Sequence, residues 1–365
     1  MGNTLKRRYN LWKTINYYIF AQKRFQMRRK SELKKVSGAL SMILILSFLM
    51  TDARVMAQSR GIFMPYSSVG FGLGTSNYYG DMAPYRRPIA STFTMMRWSV
   101  AGNYTRHFTP RLAARASFTY ARIAGDDYVM NRGSKHQSNI FFARNLHFRN
   151  DLKEFSVQGI FKLTPDNRSY DRRPQFGAYL FAGIALTAHN PKALDSLDNG
   201  TWVKLQPLGT EGQGNAGYKD KYSLITFAIP VGVGVRYKIN SRFDISAELG
   251  FRKTFTDYLD DVAGAYADPA LFADSPVAAH FANRTQDRVA VRKGADRTEG
   301  LQKFVQANYV GTAPDADPYA VMLQNGFGNP GTDRGNSPSL KDNYLIGQIQ
   351  IHYIIPAQIK CPPLR

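Results

Sequence analysis

Apolar and polar residues alternate at a period of two along much of the chain after residue 60. In one segment, apolar Phe243, Ile245 and Ala247 alternate with polar Asp244 and Ser246. Strict alternation indicates a β-strand with one apolar and one polar face. The pattern predicts eight strands, which lie near residues 67–75, 96–105, 111–120, 154–163, 176–186, 231–239, 243–252 and 345–353.

Two all-β architectures place apolar and polar residues on opposite faces of a strand. A soluble sandwich turns the apolar face inward, whereas a membrane barrel turns it outward to lipid. Full charges at mid-strand on the polar faces favour the barrel, because a barrel lumen can hold ion pairs. Aromatic residues near strand ends suggest the girdles of a membrane barrel. They are Tyr78, Tyr79, Tyr104, Phe108, Tyr120, Tyr237, Phe243 and Tyr353. The predicted lumen salt bridges use Arg97, Arg115 and Arg252 on the basic side, and Glu154, Asp244 and Glu248 on the acidic side.

The predicted connections alternate in length. Short connections fall near 106–110, 164–175 and 240–242, and long ones span 77–94, 124–146, 187–221 and 258–342. Outer-membrane barrels have short periplasmic turns and long outer loops. We therefore predict an eight-stranded antiparallel transmembrane barrel over residues 58–355, with 258–342 as its longest outer loop. Side chains can fill the interior of an eight-stranded barrel, so a general diffusion pore is disfavoured.

The N-terminal region has the pattern of a secretory signal peptide. Basic residues precede the apolar stretch 38–50, and Val55-Met56-Ala57 forms a small-residue cleavage site. We predict a signal peptide over 1–57 with a long basic region, in which Met27 is a possible true start. An uncleaved anchor is the alternative, although the apolar stretch is short for a membrane span. Residues 356–365 are predicted to form a periplasmic tail.

The net charge of +21 does not indicate a nucleic-acid partner. Residues 1–57 carry 12 Lys or Arg and two acidic residues, so +10 of the charge belongs to the predicted signal peptide. The single cysteine excludes a disulfide framework within the chain and a zinc site with several cysteines. Because a lone thiol in an oxidising compartment can pair with another chain, Cys361 is a candidate for an intermolecular disulfide.

Polar clusters on the predicted outer loops are the main candidate functional residues. Their carboxylates could bind Ca²⁺ or act in acid–base catalysis, or the clusters could order the loops and dock a partner. We predict loop ordering or docking, and a membrane enzyme using Asp81, Glu211, Asp257 or Asp260 is the remaining alternative. GxSxG, HExxH and phosphate-loop motifs are absent, and we predict neither catalysis nor a cofactor. The candidate docking residues are Tyr79, Gly80, Asp81, Thr210, Glu211, Gly212, Gln213, Gly214, Arg252, Thr256, Asp257, Tyr258, Asp260 and Asp261.

Several segments together resemble one known family. The segments GLGTSNYYGDM, ARNLHFRNDLKEFSV, PLGTEGQG, IPVGVGVRYKI, ELGFRKTFTDYLDDVAGAYAD and RGN…KDNY occur in this order over about 67–353. The chain resembles PorG-like outer-membrane barrel proteins, which are components of the type IX secretion system. The resemblance implies association with outer-membrane lipid and with the periplasmic ring of PorK lipoprotein and PorN, and it implies no catalytic residues. The predicted function is a non-enzymatic barrel that anchors or organises the secretion machinery. The alternative is a stand-alone surface barrel for adhesion or ligand binding.

Overall fold

The computed structural model describes residues 63–83, 88–133, 137, 139–167, 169–195, 200–335 and 341–356. The predicted signal peptide, Met27, Cys361 and the predicted tail from residue 357 onward lie outside these residues. Within the described ranges, no helix combines the length and apolar character needed to cross a membrane.

Eight long antiparallel strands form a closed barrel. Each strand pairs with the next along the chain, and the last closes the ring by pairing with the first, from Ser67 opposite Ile355 to Tyr79 opposite Asn343. The predicted all-β eight-stranded fold is therefore confirmed. The strands are β1 (Tyr66–Tyr79), β2 (Arg97–His107), β3 (Leu112–Asp126), β4 (His147–Lys162), β5 (Phe176–Ala188), β6 (Ile225–Lys238), β7 (Phe243–Thr254) and β8 (Asn343–Ile355).

The barrel has an apolar exterior and a polar interior. Leu73, Phe227 and Ile349 point outward and remain 60%, 62% and 63% exposed. Their neighbours of opposite parity point into the lumen, where charged, amide and hydroxyl side chains are buried. A soluble sandwich would bury the apolar face instead, so the direction of the faces decides between the two architectures.

Connections of two lengths lie at opposite ends of the barrel. The short ones, 108–111, 163–175 and 239–242, form what we call the turn end. The long ones, 80–96, 127–146, 189–224 and 255–342, form what we call the loop end. The predicted asymmetry of the connections is correct. Strand β3 continues to Asp126, six residues beyond its predicted end, because its last residues are buried beneath the long connections.

The long connections contain their own secondary structure. A helix begins after Ser275 in the last connection, and Ser275 Oγ accepts a hydrogen bond from the Ala278 amide at 3.3 Å. The helices are α1 (Pro88–Thr94), α2 (Asp127–Asn131), α3 (Ile140–Arg144), α4 (Pro276–Ala282), α5 (Thr298–Asn308) and α6 (Pro318–Gln324). Short strands pair Lys192–Leu194 with Trp202–Lys204, and Val289–Ala290 with Ala295–Asp296; 3₁₀ turns span Tyr170–Arg172, Gln206–Leu208 and Pro269–Phe272.

The described parts of the four long connections pack into one structure over the loop end, which we call the cap. A cluster of Phe142, Leu301, Phe304, Val305 and Met322 joins α3, α5 and α6. A second apolar cluster closes the top of the lumen beneath the cap. It combines strand and cap residues, namely Tyr78, Met82, Ala83, Ala121, Ile123, Leu146, Phe148, Leu152, Leu259, Val262, Tyr344 and Ile346.

Exposed aromatic residues surround the turn end, as a membrane girdle would. Tyr104, Phe108 and Tyr237 are 48%, 53% and 50% exposed, and Phe243 and Tyr353 lie at the same end. The expectation of a matching position for Tyr78 and Tyr79 at the loop end is wrong, because both are buried. Tyr78 has the parity of the lumen-facing residues of β1, so its side chain enters the barrel.

Candidate functional site

Arg115 and Glu248 form the central ion pair of the lumen. Arg115 Nη1 lies 2.5 Å from Glu248 Oε1, and the two side chains are 4% and 7% exposed. Glu248 also accepts hydrogen bonds from Tyr179 at 2.5 Å and from Gln350 at 3.0 Å. The Arg115 guanidinium donates to Gln158 as well. A buried ion pair is stable only when its remaining polar atoms are also satisfied, and this network supplies those partners.

A second ion pair lies nearer the loop end. Arg252 Nε lies 3.3 Å from Glu154 Oε2, and Tyr344 donates to the same carboxylate oxygen at 2.6 Å. Arg252 was predicted both to form lumen salt bridges and to order the loops. The structure places its guanidinium in the lumen, where it pairs with Glu154 and donates to the Gly250 carbonyl.

Asp244 and Arg97 depart from the simplest prediction. Asp244 pairs with Arg173 of the 163–175 turn at 2.8 Å and lies 3.6 Å from Arg236 of β6. Arg97 is half-buried at the start of β2, and its Nη1 donates to the Met96 carbonyl at 2.7 Å. Within the described parts of the chain it forms no salt bridge, so its predicted lumen pairing is wrong. Arg97 lies at the loop end of β2, away from the lumen carboxylates, and cannot reach them.

Three cap residues converge on the Tyr78 hydroxyl. This oxygen lies 2.6 Å from Asp260 Oδ2 and 2.7 Å from Asp342 Oδ1, and it accepts a hydrogen bond from the Asp81 amide at 2.9 Å. The side chain of Tyr78 and those of the three aspartates are at most 4% exposed. Gly80 allows this convergence, since a Cβ there would lie 2.0 Å from both the Tyr78 hydroxyl and Asp342 Oδ1.

The hydrogen bonds of Tyr78 require an additional proton. One phenol hydrogen cannot donate to two carboxylates at once, so one of Asp260 and Asp342 must itself be protonated and donate to the Tyr78 oxygen. Burial, followed by repulsion among the neighbouring carboxylates, raises the pKa of both Asp260 and Asp342 well above the ordinary aspartate range. The opposite carboxyl oxygens accept from the backbone amides of Val262 and Leu259, each at 2.9 Å.

Arg144 connects the cap to this cluster. Its guanidinium forms two 2.8 Å hydrogen bonds with Asp127 and also donates to the carbonyls of Arg334 and Asp81. Although burial opposes the charge, Asp127 raises the pKa of Arg144, which stays protonated. Arg144 therefore joins the connections after β1, β3 and β7 through a single side chain.

Arg334 has the same role beside Glu211. Its Nη1 lies 3.1 Å from Glu211 Oε1 and 2.9 Å from the Asp261 carbonyl. Its other nitrogens donate to the carbonyls of Phe281 and Ala282 at the end of α4. Glu211 Oε1 in turn accepts from the amides of Ala263 and Gly264 at 3.0 and 3.1 Å. Arg334 and Glu211 thus fasten two long connections to each other.

The Thr210–Gly214 segment is a tight turn whose predicted residues act on neighbouring backbone. Gln213 Oε1 accepts from the Glu211 amide at 2.9 Å, and Thr210 Oγ1 donates to Asp261. Gly212 and Gly214 have φ values of +82° and +89°, which favour glycine. A Cβ on Gly212 would also lie 2.4 Å from the Tyr218 ring. The predicted ordering role therefore fits the geometry of this segment.

Asp261, another candidate residue, has a positive φ of 69°. Tyr222 donates to Asp261 Oδ1 at 2.6 Å and stacks on Tyr258 with ring centroids 4.5 Å apart. Burial raises the pKa of Asp261 to about 6, although Arg334 opposes the shift.

Three further candidates contact other residues. Asp257 lies 3.3 Å from Lys341, and the Thr256 carbonyl accepts a hydrogen bond from the Asp342 amide. Tyr79 bonds Thr92 at 2.5 Å.

The described part of this arrangement orders the loops. There, no group of three His, Cys, Asp or Glu residues has the geometry of a metal site. The carboxylates of Glu211, Asp260, Asp261 and Asp342 accept hydrogen bonds from the protein's own backbone and hydroxyl groups.

The candidate docking residues chosen from the sequence do not include several residues that hold this site together. Arg144, Arg334 and Arg297 are buried in the cap, where each donates to backbone carbonyls. Nothing in their local pattern distinguishes them from exposed arginines. Tyr78 could have been found, since its position parity in β1 directs it into the lumen.

A family model described as "Domain of unknown function (DUF6089)" matches residues 40–201, which include β1 to β5. Among curated proteins, no relative matches the chain. Three similar solved structures are Ail of Yersinia pestis in complex with the heparin analogue sucrose octasulfate, Neisserial surface protein A, and the outer membrane protein OprG of Pseudomonas aeruginosa. They are 9%, 8% and 7% identical, with TM-scores of 0.31, 0.32 and 0.29. The matches cover 80%, 79% and 81% of this chain, and 100%, 96% and 98% of the other chains. The fold assignment rests on the strand pairing of this chain rather than on these similarities.

Proposed function

We propose that this protein is a non-enzymatic outer-membrane barrel that anchors or organises the type IX secretion machinery. The observation that carries the membrane location is the apolar exterior of the closed barrel, including Leu73, Phe227 and Ile349. Burying exposed apolar surface in lipid contributes about 25 cal/mol per Å². The predicted signal peptide supports export, and the exposed aromatic residues at the turn end support a membrane interface there.

The closed lumen supports anchoring over transport. The Arg115–Glu248 and Arg252–Glu154 networks cross the barrel interior, and the Tyr78 cluster closes the loop end. A solute would have to break buried ion pairs, and losing one partner of such a pair costs about 3–5 kcal/mol. We therefore expect the barrel not to conduct small solutes.

The assignment to type IX secretion rests on the family resemblance. Residues of its most specific segments, TEGQG and RKTFTDYLDD, hold the cap together through Glu211, Asp260 and Asp261. In the proposed orientation the cap faces outward, and the turn end faces the periplasm, where PorK and PorN would bind.

The test is a mild-detergent pull-down of the tagged barrel from outer membranes, with and without reductant. Co-purification of PorK- and PorN-type proteins supports the proposal, and a barrel recovered alone at every detergent strength contradicts it. The Cys361→Ser variant tests the predicted disulfide on non-reducing electrophoresis. A partner-sized band that disappears in this variant supports the disulfide, and an unchanged band pattern eliminates it.

A stand-alone surface barrel is the second candidate, and exposed apolar residues of the cap favour it. Ile89 and Phe93 lie one turn apart on α1 and are 74% and 73% exposed, and Leu323 is 61% exposed. Protease treatment of intact cells tests this candidate. Loss of adhesion or ligand binding together with cap cleavage supports it, whereas intact secretion and no binding phenotype in a deletion strain contradict both candidates.

A further inference from the structure

A cavity of about 40 Å³ lies inside the turn end of the barrel. The polar residues of its wall are Ser68, His107, Lys162, Arg236, Asp244 and His352, among others, and these six come from six different strands. The Arg115–Glu248 pair lies deeper in the lumen and separates this cavity from the cap. On this measure a water needs about 10–15 Å³, so the cavity has room for one small ion or a few water molecules.

The charges around this cavity do not cancel. Lys162, Arg173 and Arg236 supply three cations, and Asp166 and Asp244 supply two carboxylates. Asp166 pairs with Lys162 and with Arg236, and Asp244 pairs with Arg173. Arg115 and Glu248 add one charge of each sign. One positive charge therefore remains without a counter-charge in this group of buried residues.

Two nitrogen atoms of the wall residues lack hydrogen-bond partners among the described residues. They are Nδ1 of His107 and Nε of Arg236, both fully buried. His107 is 8% exposed, and its Nε2 lies 3.3 Å from Ser68 Oγ. When Nε2 accepts the Ser68 hydroxyl, the neutral ring carries its hydrogen on Nδ1 and can donate from there. An unpaired buried donor destabilises the fold, so a ligand that accepts from it stabilises the fold.

We propose that this cavity binds one small monovalent anion, with chloride as the ligand that fits its volume. The anion supplies the missing negative charge and accepts from His107 Nδ1 and Arg236 Nε. Asp244 Oδ2 lies 3.6 Å from the same Arg236 Nε, which is beyond hydrogen-bond distance, and Asp244 Oδ1 pairs with Arg173 at 2.8 Å. The Asp244 charge is therefore shared between two guanidinium groups, and Arg236 Nε keeps its hydrogen for the anion. Sulfate and gluconate, which are larger than chloride, are the comparison anions.

The first test uses the full-length barrel purified in detergent and ³⁵Cl NMR line broadening with sodium chloride. Thermal unfolding is then compared in chloride, sulfate and gluconate at equal ionic strength. We expect a higher melting temperature in chloride, saturating with concentration, and line broadening that bromide reverses by competition. Equal melting temperatures in all three salts, or no line broadening, would overturn the proposal.

The second test compares His107→Phe with His189→Phe. Phe at 107 keeps the stacking on Tyr66, whose ring centroid is 4.2 Å away, but removes the donor. We expect chloride affinity to fall about tenfold or more. His189 is a matched control, being 3% exposed at the loop end with both ring nitrogens unpartnered among the described residues. Equal losses in both variants would overturn the site assignment. If His107→Phe does not fold, His107→Gln, which keeps an N–H donor, is expected to retain chloride binding, and its loss would count against the proposal.

Discussion

The hydroxyl of Tyr78 lies 2.7 Å from Oδ1 of Asp342, although 264 residues separate them in sequence. This contact joins the end of β1 to the start of β8, where the ring of strands closes. Asp260 lies within 2.6 Å of the same hydroxyl, so the longest connection is held at two points. The cap is therefore fastened to the barrel at its closing seam.

Tyr78→Phe is expected to loosen the cap while leaving the barrel closed. The change leaves buried oxygens of Asp260 and Asp342 without a partner, at a cost of about 1–3 kcal/mol. Limited proteolysis should cleave the 255–342 connection faster, while heat-modifiable migration on electrophoresis stays normal. Tyr218→Phe is the matched control, because Tyr218 is 39% exposed and accepts only one backbone amide hydrogen bond, from Asp268. Equal cleavage rates for both variants and the native protein would contradict the prediction.

Cap stability is expected to fall as pH rises. The pKa of Asp261 is about 6 in the fold and about 3.9 in an unfolded chain, so its contribution is full below about pH 4 and is lost as pH rises through 6. Two pKa units correspond to on the order of 3 kcal/mol. The raised pKa values of Asp260 and Asp342 act in the same direction. Thermal unfolding followed between pH 4 and 8 measures the slope.

Asn variants separate the two sources of this pH dependence. Asp261→Asn should flatten the slope between pH 4 and 6, and Asp260→Asn should flatten the part at higher pH. An amide can donate to the Tyr78 oxygen as a protonated carboxyl does. If both variants keep the slope of the native protein, the titrating groups lie elsewhere.

Arg334→Met is expected to release α4 from the Thr210–Gly214 segment. Arg334 is 2% exposed, and its removal leaves Glu211 buried without its cation, which costs about 3–5 kcal/mol. Hydrogen exchange should increase at Ala263 and Gly264, because their amides donate hydrogen bonds to Glu211 Oε1. Lys303→Ala removes a surface pair with Glu299 and is the control, with an expected effect below about 0.5 kcal/mol. Similar exchange rates in the two variants would show that Arg334 does not hold this contact.

Gly80→Ala is expected to be more damaging than Gly102→Ala. A Cβ at 80 would lie 2.0 Å from Asp342 Oδ1, whereas a Cβ at 102 meets no atom within 4 Å. Overpacking of a buried site typically costs about 1–3 kcal/mol. Urea titration of the purified proteins measures the difference, and equal unfolding midpoints would show that the loop end yields more easily than this geometry implies.

The barrel was predictable because its strands carry a physical signal that repeats. One face meets apolar surroundings and the other meets the lumen, so period-two alternation marked all eight strands, and connection length marked the two ends. Lumen charges were also visible, since Glu154 and Glu248 stand at polar positions in otherwise apolar alternation. Their actual pairing depends on strand stagger around the ring, which a single sequence does not carry.

The cap was less predictable because its contacts span distant connections. The buried cap residues Glu211 and Asp260 were found as candidates. Arg334, which pairs with Glu211, and Arg144, which donates to the Arg334 carbonyl, belong to other segments. Tyr78 was misplaced because its aromatic character near a strand end suggested a membrane girdle. Its parity indicated the lumen, and parity was the better guide. The predicted pairing of Asp244 also omitted Arg173, which reaches it from a turn.

We propose that the turn end of this barrel binds the periplasmic ring of the secretion machinery. Photo-crosslinking residues placed at Thr109 or Ser241, in two turn-end connections, test it in living cells against Val310 in the cap. We expect crosslinks to PorK- or PorN-type proteins from Thr109 and Ser241 and none from Val310. Crosslinks to these proteins only from Val310, or from no position, would contradict it.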